Sequence, residues 1–304
     1  MINGASVALF PGQAGGKFGT PLTSGAVSTS GAVAGNNPAQ LQVLFGQKDG
    51  NFVPAATHTD LTLQVASMTA ADFNGDGIPD IALSTSALRT TPGGVQVLLG
   101  NGKGNFTVSA TIPVSSSAFG QIVAADFNGD GKMDLAIADN TSNSVFTLLL
   151  GNGDGTFQAP VTFGSGTFGT SFLTVGDFNS DGQLDVAASD SNLSDIYVML
   201  GNGDGTFQNG VTIAGGSWAT GLATGDFNCD GTLDLAASSS TDVIFFAGVG
   251  NGSFAPGVAF GSGAQTMSLA TGDFNGDGKP DAATVNYDGE SMSVLLNMTR
   301  CAAN

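Results

Sequence analysis

The stretch Asp72-Phe73-Asn74-Gly75-Asp76-Gly77-Ile78-Pro79-Asp80 decides how this chain folds, because it returns four more times. The copies are Asp126-Phe127-Asn128-Gly129-Asp130-Gly131-Lys132-Met133-Asp134, Asp177-Phe178-Asn179-Ser180-Asp181-Gly182-Gln183-Leu184-Asp185, Asp226-Phe227-Asn228-Cys229-Asp230-Gly231-Thr232-Leu233-Asp234 and Asp273-Phe274-Asn275-Gly276-Asp277-Gly278-Lys279-Pro280-Asp281. Their first aspartates are 126 − 72 = 54, 177 − 126 = 51, 226 − 177 = 49 and 273 − 226 = 47 residues apart. Self-similarity at such a period marks a repeat architecture, and this length suits a four-stranded antiparallel blade rather than a helical pair.

Working outward from the second copy, Gln121 to Ala125 reads as a short apolar strand entering the loop. Leu135 to Ala138 leaves it, Val145 to Leu150 makes a third strand, and Gly151-Asn152-Gly153-Asp154-Gly155 is a hairpin turn. Asn-Gly and Asp-Gly tolerate positive φ and are strong hairpin signals, and Thr156-Phe157 opens a fourth strand. The runs are almost continuously apolar, as expected of strands covered on both faces.

The third strand recurs more often than the acidic loop: at Val7–Phe10, Leu41–Gly46, Val95–Gly100, Val145–Gly151, Ile196–Gly201, Val243–Phe246 and Met292–Leu296. The expected fold is therefore all-β, a β-propeller of four-stranded antiparallel blades forming one domain over residues 1–304. Five loop-bearing blades run from about 62 to 297, degenerate units fill 1–61, and 298–304 is a short tail. Six or seven blades both fit the length. The last unit lacks a fourth strand, which Val7–Phe10 is expected to supply as a latch that hides the open edge.

The loop itself reads as a cation site. At positions one, three and five stand Asp72, Asn74 and Asp76; Asp126, Asn128 and Asp130; Asp177, Asn179 and Asp181; Asp226, Asn228 and Asp230; and Asp273, Asn275 and Asp277. Glycine at position six permits the sharp turn. Ile78, Lys132, Gln183, Thr232 and Lys279 at position seven offer a backbone carbonyl, and Asp80, Asp134, Asp185, Asp234 and Asp281 at position nine offer a carboxylate. Calcium takes six to eight oxygens in flexible geometry, whereas zinc wants His or Cys. The expected cofactor is Ca2+ at about five sites. The pattern begins like an EF-hand loop but lacks its twelfth-position Glu, and an apolar strand follows directly. Phe at position two (Phe73, Phe127, Phe178, Phe227 and Phe274) alternates away from the ion and is expected in the core.

Of 25 acidic residues, 15 lie in these loops, and five divalent cations would move the formal charge from −18 to −18 + 10 = −8. Only seven Lys and Arg are present, which argues against nucleic acid and anionic membranes as partners. Forty-seven Gly against 11% charged residues suits tight turns between strands and not helices. No apolar run is long enough for a transmembrane helix. The N-terminus has no signal-peptide pattern, and Met1 opens within a repeat, as a processed form or a fragment would. Cys229 and Cys301 read as two free thiols.

The five loops, the pairs Phe119-Gly120 and Phe168-Gly169, and Gly155-Thr156-Phe157-Gln158-Ala159-Pro160 resemble FG-GAP/VCBS repeats, which occur in integrin α-chain propellers and in bacterial secreted or surface proteins. The resemblance covers roughly 41–297 and, more weakly, 5–24. It implies a propeller, typically of seven blades, with calcium between the first two strands of a blade, and an extracellular or cell-surface location.

Catalytic signatures are sparse. His58 is the one histidine and reads as a surface residue. No nucleophile motif or phosphate loop is present. Asp139, Asp190, Asp195, Asp242 and Asp288 lie outside the loops and could line a rim. The expected function is a non-enzymatic adhesion, recognition or scaffold module for a protein or carbohydrate ligand, monomeric or part of a larger chain. The alternative is a lectin or a polysaccharide-active lyase or glycosidase acting from that rim. Trp218, Tyr197 and Tyr287 are few for sugar stacking.

Overall fold

The computed structural model describes residues 39–41, 43–46, 52–55, 59–61, 64–86, 93–114, 120–139, 144–164, 170–190, 194–215, 219, 221–263, 265–288 and 291–299. The Val7–Phe10 latch, His58, Trp218 and Cys301 lie outside them. Every described element is a strand. The chain divides into two compact units, Met1–Ala118 with Asn152–Thr156, and Phe119–Gly151 with Phe157–Asn304.

In the first unit, β1 (Ala39–Leu41) and β2 (Leu44–Gly46) fold back on β3 (Phe52–Pro54) and β4 (Thr59–Leu61), with β1 paired to β4 and β2 to β3. The Leu41–Gly46 run is thus broken into two short strands around Val43, whose carbonyl accepts the Ala55 N–H. The first loop-bearing sheet follows in strict order, β5 (Gln64–Ala71), β6 (Asp80–Ser86), β7 (Gly94–Gly100) and β8 (Phe106–Pro113). Its core joins Leu41 and Leu61 to Ile81, Leu83 and Leu98.

The second unit repeats this meander. One sheet holds β9 (Ile122–Ala125), β10 (Asp134–Ala138), β11 (Phe146–Leu149) and β12 (Val161–Phe163). The next holds β13 (Thr170–Gly176), β14 (Asp185–Asp190), β15 (Asp195–Met199) and β16 (Val211–Ala214). Then come β17 (Gly221–Gly225), β18 (Asp234–Ser238), β19 (Asp242–Phe246) and β20 (Val258–Gly261), and a last sheet of β21 (Thr266–Gly272), β22 (Asp281–Asn286) and β23 (Ser291–Leu295). All pairings are antiparallel.

Burial explains the apolar runs. β10, β14 and β18 are buried at every residue, whereas β16 and β20 are largely exposed. The second strands β10, β14 and β18 are therefore covered on both faces, and the fourth strands meet solvent on their outer side. Successive sheets of this unit stack: Phe146, Leu148 and Ala138 pack with Val186, Ala188 and Met199, while Ala187, Ile196 and Val198 pack with Leu235, Ala237 and Phe246. First strands lie side by side, β13 by β17 and β17 by β21. The fourth strand begins later than Thr156-Phe157 suggests. Phe157 makes one bridge to Gly151 and β12 starts at Val161, just as Phe207 bridges Gly201 and β16 starts at Val211.

The last sheet has three strands, and one expectation for it is corrected. Phe274 is 43% exposed, against 3% for Phe127. Val285, Met292 and Val294 are also exposed where their counterparts Ala138, Phe146 and Leu148 are buried. Phe127 and Phe178, by contrast, meet Phe207 and Phe254 from the turn of the next sheet, at centroid distances of 6.0 and 5.6 Å.

Candidate metal centre

Each acidic loop joins the first strand of its sheet to the second, and all five close on themselves in the same way. The backbone is left-handed at position four (Gly75, Gly129, Ser180, Cys229, Gly276) and at position six (Gly77, Gly131, Gly182, Gly231, Gly278). A Cβ on any of the sixth glycines would meet nothing within 4 Å, so the positive φ and not crowding selects glycine there.

That path turns the loop N–H groups inward. The amide of the fifth residue is held by two side chains at once: by Oδ1 of the first Asp at 3.0–3.2 Å and by Oδ1 of the third Asn at 2.9–3.1 Å. Oδ2 of the first Asp accepts the sixth N–H at 2.8–3.0 Å. Oδ1 of the fifth Asp accepts the seventh N–H at 2.8–3.1 Å. In four loops the third Asn Nδ2 also donates to the fifth carboxylate. The side chains of positions one and three thus meet at the fifth amide, while the fifth carboxylate turns to the seventh N–H. The Gly77 N–H, above all, holds the Asp72 carboxyl below its usual range, and the Lys132 N–H does the same for Asp130.

The ninth Asp stands apart. Asp80, Asp134, Asp185, Asp234 and Asp281 are all buried. Oδ2 of each accepts the N–H of the position-two Phe at 2.7–3.0 Å. Oδ1 of each accepts an N–H at or just beyond the end of the third strand, from Gly100, Gly151, Gly201, Gly248 or Asn297, at 2.7–2.8 Å. This carboxylate clamps the loop to the third strand. Burial raises the carboxyl of Asp80, Asp134, Asp185 and Asp234 above the usual range, against the pull of those N–H groups. The clamp draws the third-strand end so close that a Cβ on Gly151 would stand 2.2 Å from the Met133 carbonyl oxygen. Sequence reading missed this role, because the interval from the ninth Asp to its second partner varies from 100 − 80 = 20 to 248 − 234 = 14 residues.

Among the described residues no three Asp, Glu, His or Cys side chains stand close enough together to hold a metal on their own. The donor chemistry nonetheless fits a hard cation. Every loop presents carboxylate or amide oxygen at positions one, three, five and nine, the Asn oxygen already facing the fifth N–H. A carboxylate oxygen has lone-pair sites enough to accept an N–H and ligate as well.

The remaining candidates are dispersed. Asp139 accepts from Ser144 and Thr147 hydroxyls, Asp242 from Thr241, and Asp190 lies opposite Asp195 in the β14–β15 ladder. The turns Gly151–Phe157 and Gly201–Phe207 are hairpin turns closed on themselves by Asn152–Thr156 and Asn202–Thr206 bonds, as expected. Cys229 is disulfide-bonded, which corrects the expectation of free thiols; the only other cysteine in the sequence is Cys301. The cause is tertiary: Asn297 donates its side-chain amide to the Phe227 carbonyl at 2.8 Å, and Lys279 holds the Asn297 and Thr299 carbonyls, so residues 297–299 run beside the fourth loop.

Comparison with known proteins agrees with this repeat. No curated protein matches the chain. Among solved structures, a lectin from Agrocybe aegerita, described as recognising non-reducing terminal N-acetylglucosamine, superposes with a TM-score of 0.57 at 18% identity, covering 84% of this chain and 70% of that one. BBS1N, solved in complex with ARL6DN, superposes with a TM-score of 0.52 at 11% identity, covering 82% of this chain and 71% of that one. These likenesses concern the fold. The FG-GAP-like repeat matches at residues 30–83, 86–137, 126–188, 177–237 and 230–284, each match taking in all or most of an acidic loop; the chain belongs to the FG-GAP-like repeat family.

Proposed function

We propose that this chain is a calcium-stabilised recognition module on a β-propeller scaffold, working outside the cell and binding a carbohydrate or protein ligand without catalysis. The observation that carries the reading is the fivefold repetition of one loop in which the first Asp and third Asn side chains hold the amide of the fifth Asp, whose own carboxylate accepts the seventh N–H. Asp72, Asn74 and Asp76 and their equivalents would hold the ion, with the position-seven carbonyl and the clamped ninth Asp completing the set. Bound calcium would neutralise loops that otherwise gather three carboxylates each. The residues' own part is to pre-shape the loop: left-handed turns at positions four and six aim the N–H groups inward, and the ninth Asp fixes the loop to the third strand.

Stacked sheets with adjacent first strands support the propeller arrangement. The Cys229 disulfide supports an oxidising compartment. The Agrocybe aegerita lectin, alike in fold, makes carbohydrate the ligand class to test first.

The test is thermal unfolding with excess calcium and with a chelator, followed by a glycan array in calcium. A large calcium-dependent rise in midpoint, reduced by Asp76→Ala or Asp130→Ala, supports the metal reading. No calcium effect would overturn it. Binding of a defined glycan without turnover supports recognition; hydrolysis or elimination of a polysaccharide would replace it with an enzyme.

A further inference from the structure

Position seven of the acidic loops carries Ile78, Lys132, Gln183, Thr232 or Lys279. The chain has only seven Lys and Arg, and two of them stand here. What this side chain does to its own loop therefore differs from loop to loop.

In the first and third loops the fifth carboxylate, Asp76 or Asp181, takes its side-chain hydrogen bond from the neutral Asn two residues earlier. Asp230 takes one from Asn228 and one from the Thr232 hydroxyl, also neutral. In the second loop the Lys132 ammonium stands 3.4 Å from Asp130 Oδ2, with its side chain 44% exposed. An exposed pair of that kind is weak, and the long side chain can swing into water.

The fifth loop is built differently. Lys279 Nζ lies 3.1 Å from Asp277 Oδ2 and donates to the Asn297 carbonyl at 3.1 Å and the Thr299 carbonyl at 2.9 Å. An ammonium has three N–H donors, and here oxygens of three residues meet them. The Lys279 side chain is 20% exposed, less than half the value for Lys132. Its acceptors are themselves held: Asn297 gives its N–H to the ninth Asp, Asp281, and its side-chain amide to the Phe227 carbonyl. Swinging Lys279 away would break all three contacts at once.

We propose that Lys279 is a built-in counter-cation of the fifth loop: its ammonium stands in for part of the charge that calcium would bring, so this loop holds its shape without an ion and takes calcium last. This grading rests on the calcium reading of the loops. A divalent ion on the Asp277 carboxylate would meet a positive charge already seated on the same group, and like charges so close repel. Lys132 can retreat from Asp130, and the other three loops bring no such charge. Loops alike in motif are thereby graded: the first, third and fourth bind first, the second next and the fifth last. The same ammonium keeps residues 297–299 beside the fourth loop when calcium is scarce, because a lysine and not a metal holds their carbonyls.

The test is hydrogen exchange of the whole chain, read by mass spectrometry at each acidic loop across a calcium titration. The wild-type fifth loop should reach half-protection at about tenfold more calcium than the first, third and fourth, because a unit charge beside a divalent ion is worth about that factor even in water. Lys279→Met should bring the fifth loop into the range of those three and leave their midpoints unchanged. In chelator the same variant should exchange faster at residues 273–281 and 297–299. Lys279→Arg keeps the charge and should stay close to wild type in calcium, a distinction that a merely structural role would not produce. Lys279→Gln keeps a donor for the carbonyls and serves where the Met variant is poorly folded. A wild-type fifth loop that titrates together with the first, third and fourth, or a midpoint unmoved in both neutral variants, would overturn the proposal and leave the calcium reading standing. No calcium-dependent protection in any loop would overturn both.

Discussion

Replacing Asp134 by Asn tests the clamp at the base of the second acidic loop. The Asp134 carboxylate is fully buried and accepts the Phe127 N–H at 2.9 Å and the Gly151 N–H at 2.7 Å. Asn keeps one oxygen for one of these donors and turns an NH2 group toward the other. The loss is one charge-assisted bond, about 1.5–3 kcal/mol, plus a buried N–H left without an acceptor, about 1–3 kcal/mol. Removing a carboxylate whose protonation burial already favours offsets part of this. A net loss of about 2–4 kcal/mol is expected. Urea unfolding followed by far-ultraviolet circular dichroism, run in chelator, isolates the clamp from any metal. The control is Asp130→Asn, an exposed fifth-position residue, which should change little in chelator and much in calcium. If Asp134→Asn in chelator is as stable as Asp130→Asn, the buried carboxylate does not tie loop to strand and the clamp is wrong.

Three further outcomes follow from the same geometry. Gly151→Ala should destabilise by more than Gly131→Ala in urea titrations: the first places a Cβ 2.2 Å from the Met133 carbonyl oxygen, whereas the second meets only the left-handed backbone penalty, about 1–2 kcal/mol; equal losses would refute the crowding argument. Phe178→Ala should cost about 3–5 kcal/mol and Phe274→Ala much less, because Phe178 is buried against Phe254 while Phe274 is half exposed; comparable midpoints for the two would mean that Phe274 is covered in solution. Reducing the Cys229 disulfide with a dithiol, or Cys229→Ser, should lower stability by about 2–4 kcal/mol, read as a shift in the urea midpoint; an unchanged midpoint would show that the link constrains nothing.

The sequence by itself determined the repeat, the all-β class and which residues close each acidic loop at positions one, three and five. Those features are local: a left-handed glycine, an alternating Asp-x-Asn-x-Asp and an Asn-Gly hairpin act within a few residues of each other, so spacing carries them. It also placed the strands around each loop to within a few residues, missing the later start of the fourth strand. Tertiary structure decided the rest. The ninth Asp became a clamp because its second partner comes from a strand end at a variable distance along the chain. Phe274 is exposed while four identical phenylalanines are buried, since burial depends on which sheet stacks against it and not on the motif. Cys229 is oxidised because the chain end is led back beside the fourth loop by Asn297 and Lys279. Asp190 and Asp195 read only as scattered rim acids until the register of β14 and β15 set them face to face. Such pairings depend on long-range registry, which a one-residue slip would abolish and which no local pattern encodes.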